Sequence, residues 1–305
     1  EPQPALPRLP RLRRDEGPRA TALLYHRVAD VDHDPLGLAV SPATFAAQIE
    51  ALRDRVVPLE QLATGDFPDG AVAITFDDGY ADNLPALRGI DVPVTVFIST
   101  GHVEEGRTFW WDELARLLHT AQATGPLTVE LDGDVRTWPA RDAAQREVAR
   151  RNLHAWLQVQ AVERIEAALA QIRDWARAPE AEDPRPLTLD ELRELAGHVT
   201  IGAHGRDHLS LRWLPPERQL AEMERSRDDL AAWLGRAPTA FSYPFGVPGR
   251  DVDATTQAMA ARAGFRLAVV NAAGAIAPGA DRFALARAGA ENRPDAGIAP
   301  GFLRK

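Results

Sequence analysis

The stretch AVAITFDDGY, residues 71–80, joins an apolar run to two adjacent carboxylates and a glycine. Its first six residues are apolar or β-branched without interruption, which is typical of a strand covered on both faces of a sheet. Asp77 and Asp78 follow the run directly, so each repels the charge of the other at the end of a buried strand. Taken alone, Asp-Asp-Gly after a strand is usually a turn. A function for the two carboxylates therefore depends on which other residues lie beside them.

Seven further runs have the same apolar or β-branched character. They are ATALLYH (20–26), VVPL (56–59), VPVTVFIS (92–99), VTIGAH (199–204), TAFSYPF (239–245), FRLAVV (265–270) and FALARA (283–288). Helical patterns separate them; one opens with Ser41 as N-cap and Pro42, and another has Thr188 and Glu191 at capping-box spacing. Strands that alternate with helices predict a mostly parallel sheet. About eight such strands predict an α/β fold, a distorted (β/α) barrel of seven to eight strands.

Residues 108–185 interrupt this alternation. The pattern there predicts a helix from WWDELARLLHTAQATG, a hairpin from LTVELDG and VRTW, and then a long helical stretch over about 141–178. We therefore expect a mainly helical insertion in a barrel domain of residues 21–293, with a basic Pro-rich arm at 1–20 and a tail at 294–305. An apolar stripe in the insertion is expected to pack on the barrel, with a partner or lipid-facing surface as the alternative. The stripe comprises Leu153, Trp156, Leu157, Ile165, Leu169, Ile172 and Trp175.

The composition limits the classes of function. Hydrophobic residues make up 45% and charged residues 26%, as in soluble globular proteins. A formal charge of -9, with no basic stripe to offset it, argues against nucleic acid as a partner. The absence of cysteine means that any metal is held by His, Asp or Glu. No apolar run approaches the roughly 18 residues of a membrane span and no signal peptide is visible, so the sequence predicts neither and leaves compartment and oligomeric state open.

Polar residues follow four of the predicted strands. They are His26, the pair Asp77 and Asp78, the pair His204 and His208, and residues 244–246. Because the C-terminal ends of barrel strands share one rim, we expect these residues to converge there. Gly202 and Gly205 flank His204, which favours a strand end and a loop over a helix for the HxxxH pair.

This combination of residue types indicates metal chemistry. Two imidazoles and one carboxylate form a common site for a divalent ion, with positions left open for water and substrate. A dication also removes the repulsion between adjacent carboxylates, so one Asp can bind it while the other stays free as a base. Such an ion lowers the pKa of bound water from about 15.7 to about 7, and a general base contributes about 10²- to 10⁴-fold. The pattern predicts metal-assisted hydrolysis; an iron oxygenase uses the same ligand set, but the alternation of strands and helices disfavours it.

Three motifs stand at these strand ends: TFDDGY (75–80), AHGRDHLSL (203–211) and SYPFG (242–246). They resemble the motifs of the polysaccharide deacetylases, the carbohydrate esterase family 4 or NodB-homology enzymes, and in particular their exopolysaccharide (poly-N-acetylglucosamine) deacetylase branch. The resemblance implies Asp77 as general base and Asp78, His204 and His208 as ligands of Zn²⁺, or of Co²⁺, Ni²⁺ or Mn²⁺. It implies a distorted barrel, and the removal of N-acetyl groups from an amino-sugar polysaccharide, oligosaccharide or glycolipid.

The chain departs from the family pattern at two places. Ser242 stands where many members have an arginine that pairs with the base, so another group must orient Asp77. No histidine follows His208, although many members have a late histidine as general acid. His26 is therefore our candidate acid, with His102 in reserve. Arg287 is a further residue that can reach the rim, although an arginine does not readily donate a proton.

The remaining site predictions concern the substrate. The backbone N–H of Phe245 is the expected donor to the oxyanion. Tyr80, Tyr243, Phe245 and Gly246 are expected to contact the sugar. Trp110 and Trp111 either join them or anchor the insertion. Two other functions stay open on the same fold: a sugar-binding protein that has lost turnover, and a deacylase of a non-sugar amide.

Overall fold

The computed structural model describes residues 17–293, so the predicted tail and most of the predicted N-terminal arm lie outside the described residues. Eleven strands occur in the described part of the chain: β1 Ala20–Tyr25, β2 Arg27–Val28, β3 Ala39–Val40, β4 Ala71–Phe76, β5 Val94–Ile98, β6 Leu127–Leu131, β7 Asp134–Trp138, β8 Thr200–Ala203, β9 Ala240–Ser242, β10 Leu267–Val270 and β11 Leu285–Gly289. Seven of them form a closed parallel barrel in the order β1-β11-β10-β9-β8-β5-β4. The predicted α/β barrel of seven to eight strands is confirmed.

Ten α-helices accompany the strands in residues 17–293: α1 Pro42–Leu52, α2 Leu59–Thr64, α3 Leu84–Leu87, α4 Thr100–Glu105, α5 Trp110–Thr120, α6 Ala143–Leu157, α7 Val162–Ala176, α8 Leu189–Leu195, α9 Pro216–Leu234 and α10 Ala254–Arg262. The side chain of Ser41 accepts a hydrogen bond from the N–H of Thr44 and so caps α1. Thr188 and Glu191 form a reciprocal capping box at α8. Both predicted helix starts are confirmed. None of the helices in this part of the chain is long and apolar enough to cross a membrane.

One of the eight predicted strands is not a strand. In the run VVPL, Val56 makes only an isolated bridge to Val72, and Leu59 already begins α2. Pro58 is the N-cap of that helix, and because proline has no N–H it suits a helix start better than a strand interior. The barrel therefore closes with seven strands.

The insertion between β5 and β8 has an apolar core of its own. Its predicted hairpin is confirmed as β6 and β7, and the predicted helical stretch consists of two helices, α6 and α7, with a turn between them. The side chain of Gln160 in this turn donates to the carbonyl of Trp156, which satisfies a free group at the end of α6. The predicted stripe packs mainly within the insertion rather than on the barrel core. Its members Leu153, Trp156, Leu157, Ile165, Leu169 and Ile172 are buried together with Phe109, Trp110 and Trp111.

The register of the barrel strands aligns the polar residues at one rim. Tyr25 of β1 pairs with Phe76 of β4, so the next residues along the two strands are His26 and Asp77. On the neighbouring pair, the N–H of His204 donates to the carbonyl of Ile98 at 2.9 Å as β8 ends. Since all seven strands run parallel, the residues that follow them lie at the same end of the barrel.

Candidate active site

Three predicted metal ligands come together at this rim. One ligand atom from each of Asp78, His204 and His208 lies within 4.8 Å of the other two, and all three residues are buried. Oδ1 of Asp78 is 3.3 Å from Nε2 of His204 and 3.2 Å from Nε2 of His208. These positions place two imidazole nitrogens and one carboxylate oxygen around a common point, as a facial metal site requires.

The hydrogen bonding of the triad fits a divalent cation. Nδ1 of His204 lies 2.7 Å from the carbonyl oxygen of Ser242. Because a carbonyl oxygen can accept a hydrogen bond but cannot donate one, Nδ1 carries the proton. In a neutral imidazole Nε2 then presents a lone pair toward Asp78. Oδ1 of Asp78 is itself buried and receives no hydrogen bond from the described residues. Lone pairs that face one another in a buried site need positive charge between them, and a carbonyl that fixes the imidazole tautomer is a usual feature around metal-binding histidines.

The electrostatics of the triad also attract a cation. Burial alone would raise the pKa of Asp78, but its contacts with His204 and His208 hold that pKa well below its usual value. Burial alone would lower the pKa of His204, yet Asp77 and Asp78 raise it. For His208 the effect of burial dominates, and its pKa is lowered. Asp77 and Asp78 are therefore ionised beside the two histidines, and His208 is the histidine that more readily stays neutral.

The backbone around the site is held in an uncommon conformation. Asp78, His208 and Phe245 have φ of 73°, 52° and 60°, a region that non-glycine residues seldom occupy. Gly246 has φ of 66°, and a Cβ there would lie 2.8 Å from the carbonyl oxygen of Tyr243, so this position requires glycine. Local strain of this kind persists when the surrounding structure fixes it, and it clusters at functional sites.

Asp77 is fixed by Arg287 of β11. The two Nη atoms of Arg287 donate to the two carboxylate oxygens of Asp77 at 2.7 Å each. Ser242 Oγ donates to Asp77 Oδ2 at 3.0 Å and accepts from Arg287 at 2.8 Å. Burial alone would raise the pKa of Asp77, but Arg287 and His204 hold it below its usual value. The carboxylate thus stays ionised and oriented beside the triad without being part of it.

Arg287 is the residue that orients Asp77. The sequence analysis had left this role open because position 242 is a serine. The side chain of Arg287 is 1% exposed, and it also donates to Thr75 Oγ1 at 3.2 Å and to Asn271 Oδ1 at 2.9 Å. The sequence analysis placed Arg287 near the rim without this role; the signal that could have revealed it is a single charged residue inside the strand candidate FALARA, because a buried arginine needs an acidic partner.

These residues open into one cavity of about 320 Å³. Its lining consists of His26, Leu36, Leu38, Asp77, Asp78, Trp111, His154, Ala155, Gln158, His204, His208, Phe245, Arg250 and Asn271. The cavity therefore brings together His26, the two carboxylates, the two histidines and Phe245, all of which the sequence singled out. It also includes His154 of α6 and Gln158, the C-cap residue of α6, which the sequence analysis missed because they lie in the insertion, outside every recognised motif.

Tyr80, Tyr243 and Gly246 do not line the cavity. Tyr80 is fully buried; its hydroxyl donates to Asp112 at 2.6 Å and accepts from Trp111 Nε1 at 2.7 Å. Tyr243 lies in the barrel core and its hydroxyl donates to the carbonyl of Phe283. Neither tyrosine therefore reaches the cavity, and the lining does not include the three residues for which sugar contacts were predicted.

Trp111 has both of the roles considered for it. Its ring lies 4.4 Å from the ring of His208 and lines the cavity. It is also part of the apolar core of the insertion, as is Trp110, which does not line the cavity. The hydrogen bond from Trp111 to Tyr80 thus connects the insertion to the motif that carries the two carboxylates.

His102, the reserve candidate for the acid, is outside the cavity lining. Its ring stacks on Phe109 at 4.7 Å, and Nδ1 lies 2.8 Å from the carbonyl of Arg107. Burial, followed by the charge of Arg107, lowers the pKa of His102 to about 3. A neutral, enclosed imidazole is poorly suited to donate a proton to a substrate.

A family comparison agrees with this geometry. The model of the polysaccharide deacetylase family matches residues 64–185 and 154–268, which together make up more than half of the chain. The chain belongs to the polysaccharide deacetylase family. As a polysaccharide deacetylase it is a hydrolase that acts on amide bonds. No curated protein gives a significant sequence match to this family member.

Solved structures of deacetylases share the fold. Streptococcus pyogenes deacetylase PplD, solved in complex with acetate, is 19% identical, with a TM-score of 0.60 over 92% of this chain and 96% of that chain. IcaB from Ammonifex degensii is also 19% identical, with a TM-score of 0.58 over 95% and 98%. The BpsB deacetylase domain from Bordetella bronchiseptica is 15% identical, with a TM-score of 0.51 over 90% and 97%. At these identities the likeness establishes a common fold only, and the chemistry is argued from the residues of the site.

Proposed function

We propose that this polysaccharide deacetylase is a metal-dependent enzyme that removes N-acetyl groups from an amino-sugar-containing polysaccharide, oligosaccharide or glycolipid. One observation carries the proposal. A buried Asp-His-His triad lies in the same cavity as Asp77, a separate carboxylate that Arg287 and Ser242 keep oriented. A ligand set and an adjacent free base are the parts that hydrolysis by activated water requires.

Asp78, His204 and His208 would hold the ion, with zinc as the first choice and Co²⁺, Ni²⁺ or Mn²⁺ as alternatives. When bound, a divalent ion supplies Lewis-acid chemistry, since it polarises a carbonyl and lowers the pKa of water from about 15.7 to about 7. Three protein ligands leave coordination positions free for water and substrate.

Asp77 acts as the general base. Its pKa is held below the usual value, so the carboxylate is ionised at neutral pH and able to take a proton from the attacking water. Arg287 and Ser242 fix the orientation of the carboxylate through three hydrogen bonds. Ser242 lies in β9 and Arg287 in β11, so barrel strands hold the base in its orientation before the substrate binds.

Phe245 and His26 complete the reaction. The N–H of Phe245 donates to no acceptor among residues 17–293, and the residue lines the cavity, so this N–H is free to bind the developing oxyanion. His26 lines the same cavity at the end of β1, and its ring makes no hydrogen bond within residues 17–293. We assign it the transfer of a proton to the departing amine.

The first prediction tests the reaction itself. The zinc-loaded protein is expected to release acetate from chitooligosaccharides, poly-N-acetylglucosamine or N-acetylated glycolipids, and removal of the metal with a chelator is expected to abolish the release. Acetate is measured by a coupled enzymatic assay, with re-addition of zinc or cobalt as the control. Sugar binding without release from any of these substrates would support a binding protein that has lost turnover. Release from non-sugar acetamides alone would support an amidase of different specificity.

The second prediction concerns the acid. His26→Ala is expected to lower kcat by about 10²-fold or more while zinc content is unchanged, because a general acid typically contributes about 10²- to 10⁴-fold. His198→Ala is the matched control, since His198 is an exposed histidine outside the cavity lining. Turnover at the wild-type rate in His26→Ala would remove this residue from the mechanism.

A further inference from the structure

We propose that helix α6 of the insertion recognises the sugar ring that carries the reacting acetamide, through hydrogen bonds from the side chains of His154 and Gln158 to its hydroxyl groups. This inference rests on the proposed function and adds a specificity element to it. The two residues lie outside all three family motifs, in the insertion at residues 108–185.

The placement of the two side chains is the first observation. His154 lies in the last turn of α6 and Gln158 is the C-cap residue four positions later, still with helical backbone angles, so both project from the same face of the helix. Both line the cavity, together with Ala155 between them. The segments that follow β4 and β8 thus contribute the triad and Asp77 to the cavity, and the insertion contributes a separate polar wall, His154 and Gln158.

The second observation is that both side chains lack a partner. Within residues 17–293, neither the imidazole of His154 nor the amide of Gln158 takes part in a hydrogen bond or an ion pair. Two other polar side chains of the lining do have protein partners: Asn271 binds Phe245 and Arg287, and Arg250 pairs with Asp251. Both side chains are partly exposed, so their polar atoms are free to bind water or a ligand in the cavity.

The chemistry of this pair suits neutral hydroxyl groups. Burial, then the charges of Arg150 and His208, lower the pKa of His154 to about 4, so its ring is neutral at physiological pH. A neutral imidazole offers one donor and one acceptor, and the Gln158 amide offers two donors and one acceptor. A sugar hydroxyl both donates and accepts, and therefore matches either group.

The ring of His154 is also held in place. It lies 5.0 Å from the ring of Trp110 and 6.0 Å from the ring of Phe245, perpendicular to the latter. Phe245 in turn lies 4.8 Å from the metal-binding side chain of His208. The ring of Phe245 thus lies near both His154 and His208. The cavity of about 320 Å³ is at the lower end of the size of small-ligand sites, which suits a single sugar ring with its acetyl group.

The test separates sugar recognition from chemistry. His154→Phe keeps a ring but removes its nitrogens, and Gln158→Met keeps length but removes the amide. With tri-N-acetylchitotriose, each is expected to raise KM by about 3- to 10-fold, and the double variant by about 10- to 100-fold, since each loses a neutral hydrogen bond. The kcat values, and turnover of the sugar-free probe 4-nitrophenyl acetate, are expected to match wild type. Asn152→Ala, at an exposed position of α6, is the matched control.

Each outcome has a clear consequence. Restoration of KM by His154→Gln, which again offers a donor and an acceptor, would support hydrogen bonding over packing. Unchanged KM in the double variant, or an equal loss with 4-nitrophenyl acetate, would overturn the inference. If the wild type releases no acetate from amino sugars, the proposed function fails instead. Calorimetric binding of tri-N-acetylchitotriose to the zinc-loaded protein then decides the inference, because weaker binding by the double variant supports it and equal binding overturns it.

Discussion

Asp78→Ala is expected to leave the protein without bound zinc and to lower acetate release by more than about 10³-fold. Asp78 is the carboxylate of the triad, and its Oδ1 lies within 3.3 Å of the Nε2 atoms of both His204 and His208. Without it, two neutral imidazoles remain, and a two-ligand site binds zinc far more weakly than a three-ligand site. Metal content after dialysis against zinc, measured by plasma mass spectrometry together with kcat/KM, checks the prediction.

Asp207→Ala provides the control for this variant. Asp207 lies between the two histidines of the same loop, but its carboxylate pairs with Arg107 and does not take part in the triad. We expect this variant to retain its zinc. Full zinc occupancy in Asp78→Ala would contradict the assignment of the ligand, and equal loss of zinc from both variants would show that the loop itself had been disturbed.

The sequence was sufficient to predict the rim of the barrel. Continuous apolar runs are typical of buried parallel strands, so the polar residues directly after β1, β4 and β8 were assigned to strand ends at one rim of a parallel barrel. The glycines around His204 favoured a loop, and β8 does end at Ala203. These predictions depend on local pattern and on the common direction of the strands, both of which a sequence displays.

Other features depend on contacts that no local pattern encodes. Arg287 reaches Asp77 across 210 positions of sequence because β11 closes the barrel against β1. Tyr243 belongs to the same motif as Phe245, yet only Phe245 faces the cavity, since the chain turns through positive φ at that residue. The position of α6 over the rim follows from how the insertion packs on itself, which the sequence analysis took for packing on the barrel.

Arg287→Met is expected to lower the free energy of unfolding of the metal-free protein by about 3 to 5 kcal/mol, the usual cost of removing one partner of a buried ion pair. Arg287 is 1% exposed. The carboxylate of Asp77 accepts three hydrogen bonds from side chains, two from Arg287 and one from Ser242. Loss of Arg287 leaves a buried carboxylate with a single donor, Ser242. Urea unfolding followed by circular dichroism measures the change. Arg116→Met is the matched control, because Arg116 makes a similar two-point pair with Asp183 that is partly exposed, and we expect a smaller loss there.

The double variant Arg287→Met with Asp77→Asn separates the two roles of this pair. Removing both charges relieves the unpaired carboxylate, so much of the lost stability is expected to return. Activity is not expected to return with it, because Asp77→Asn also removes the proposed base, a loss of about 10²- to 10⁴-fold. Recovered stability without recovered turnover would therefore assign Arg287 to holding Asp77 and Asp77 to the chemistry. If Arg287→Met alone folds as stably as wild type and releases acetate at the same rate, Ser242 is enough to hold Asp77, and the arginine has no part in orienting the base.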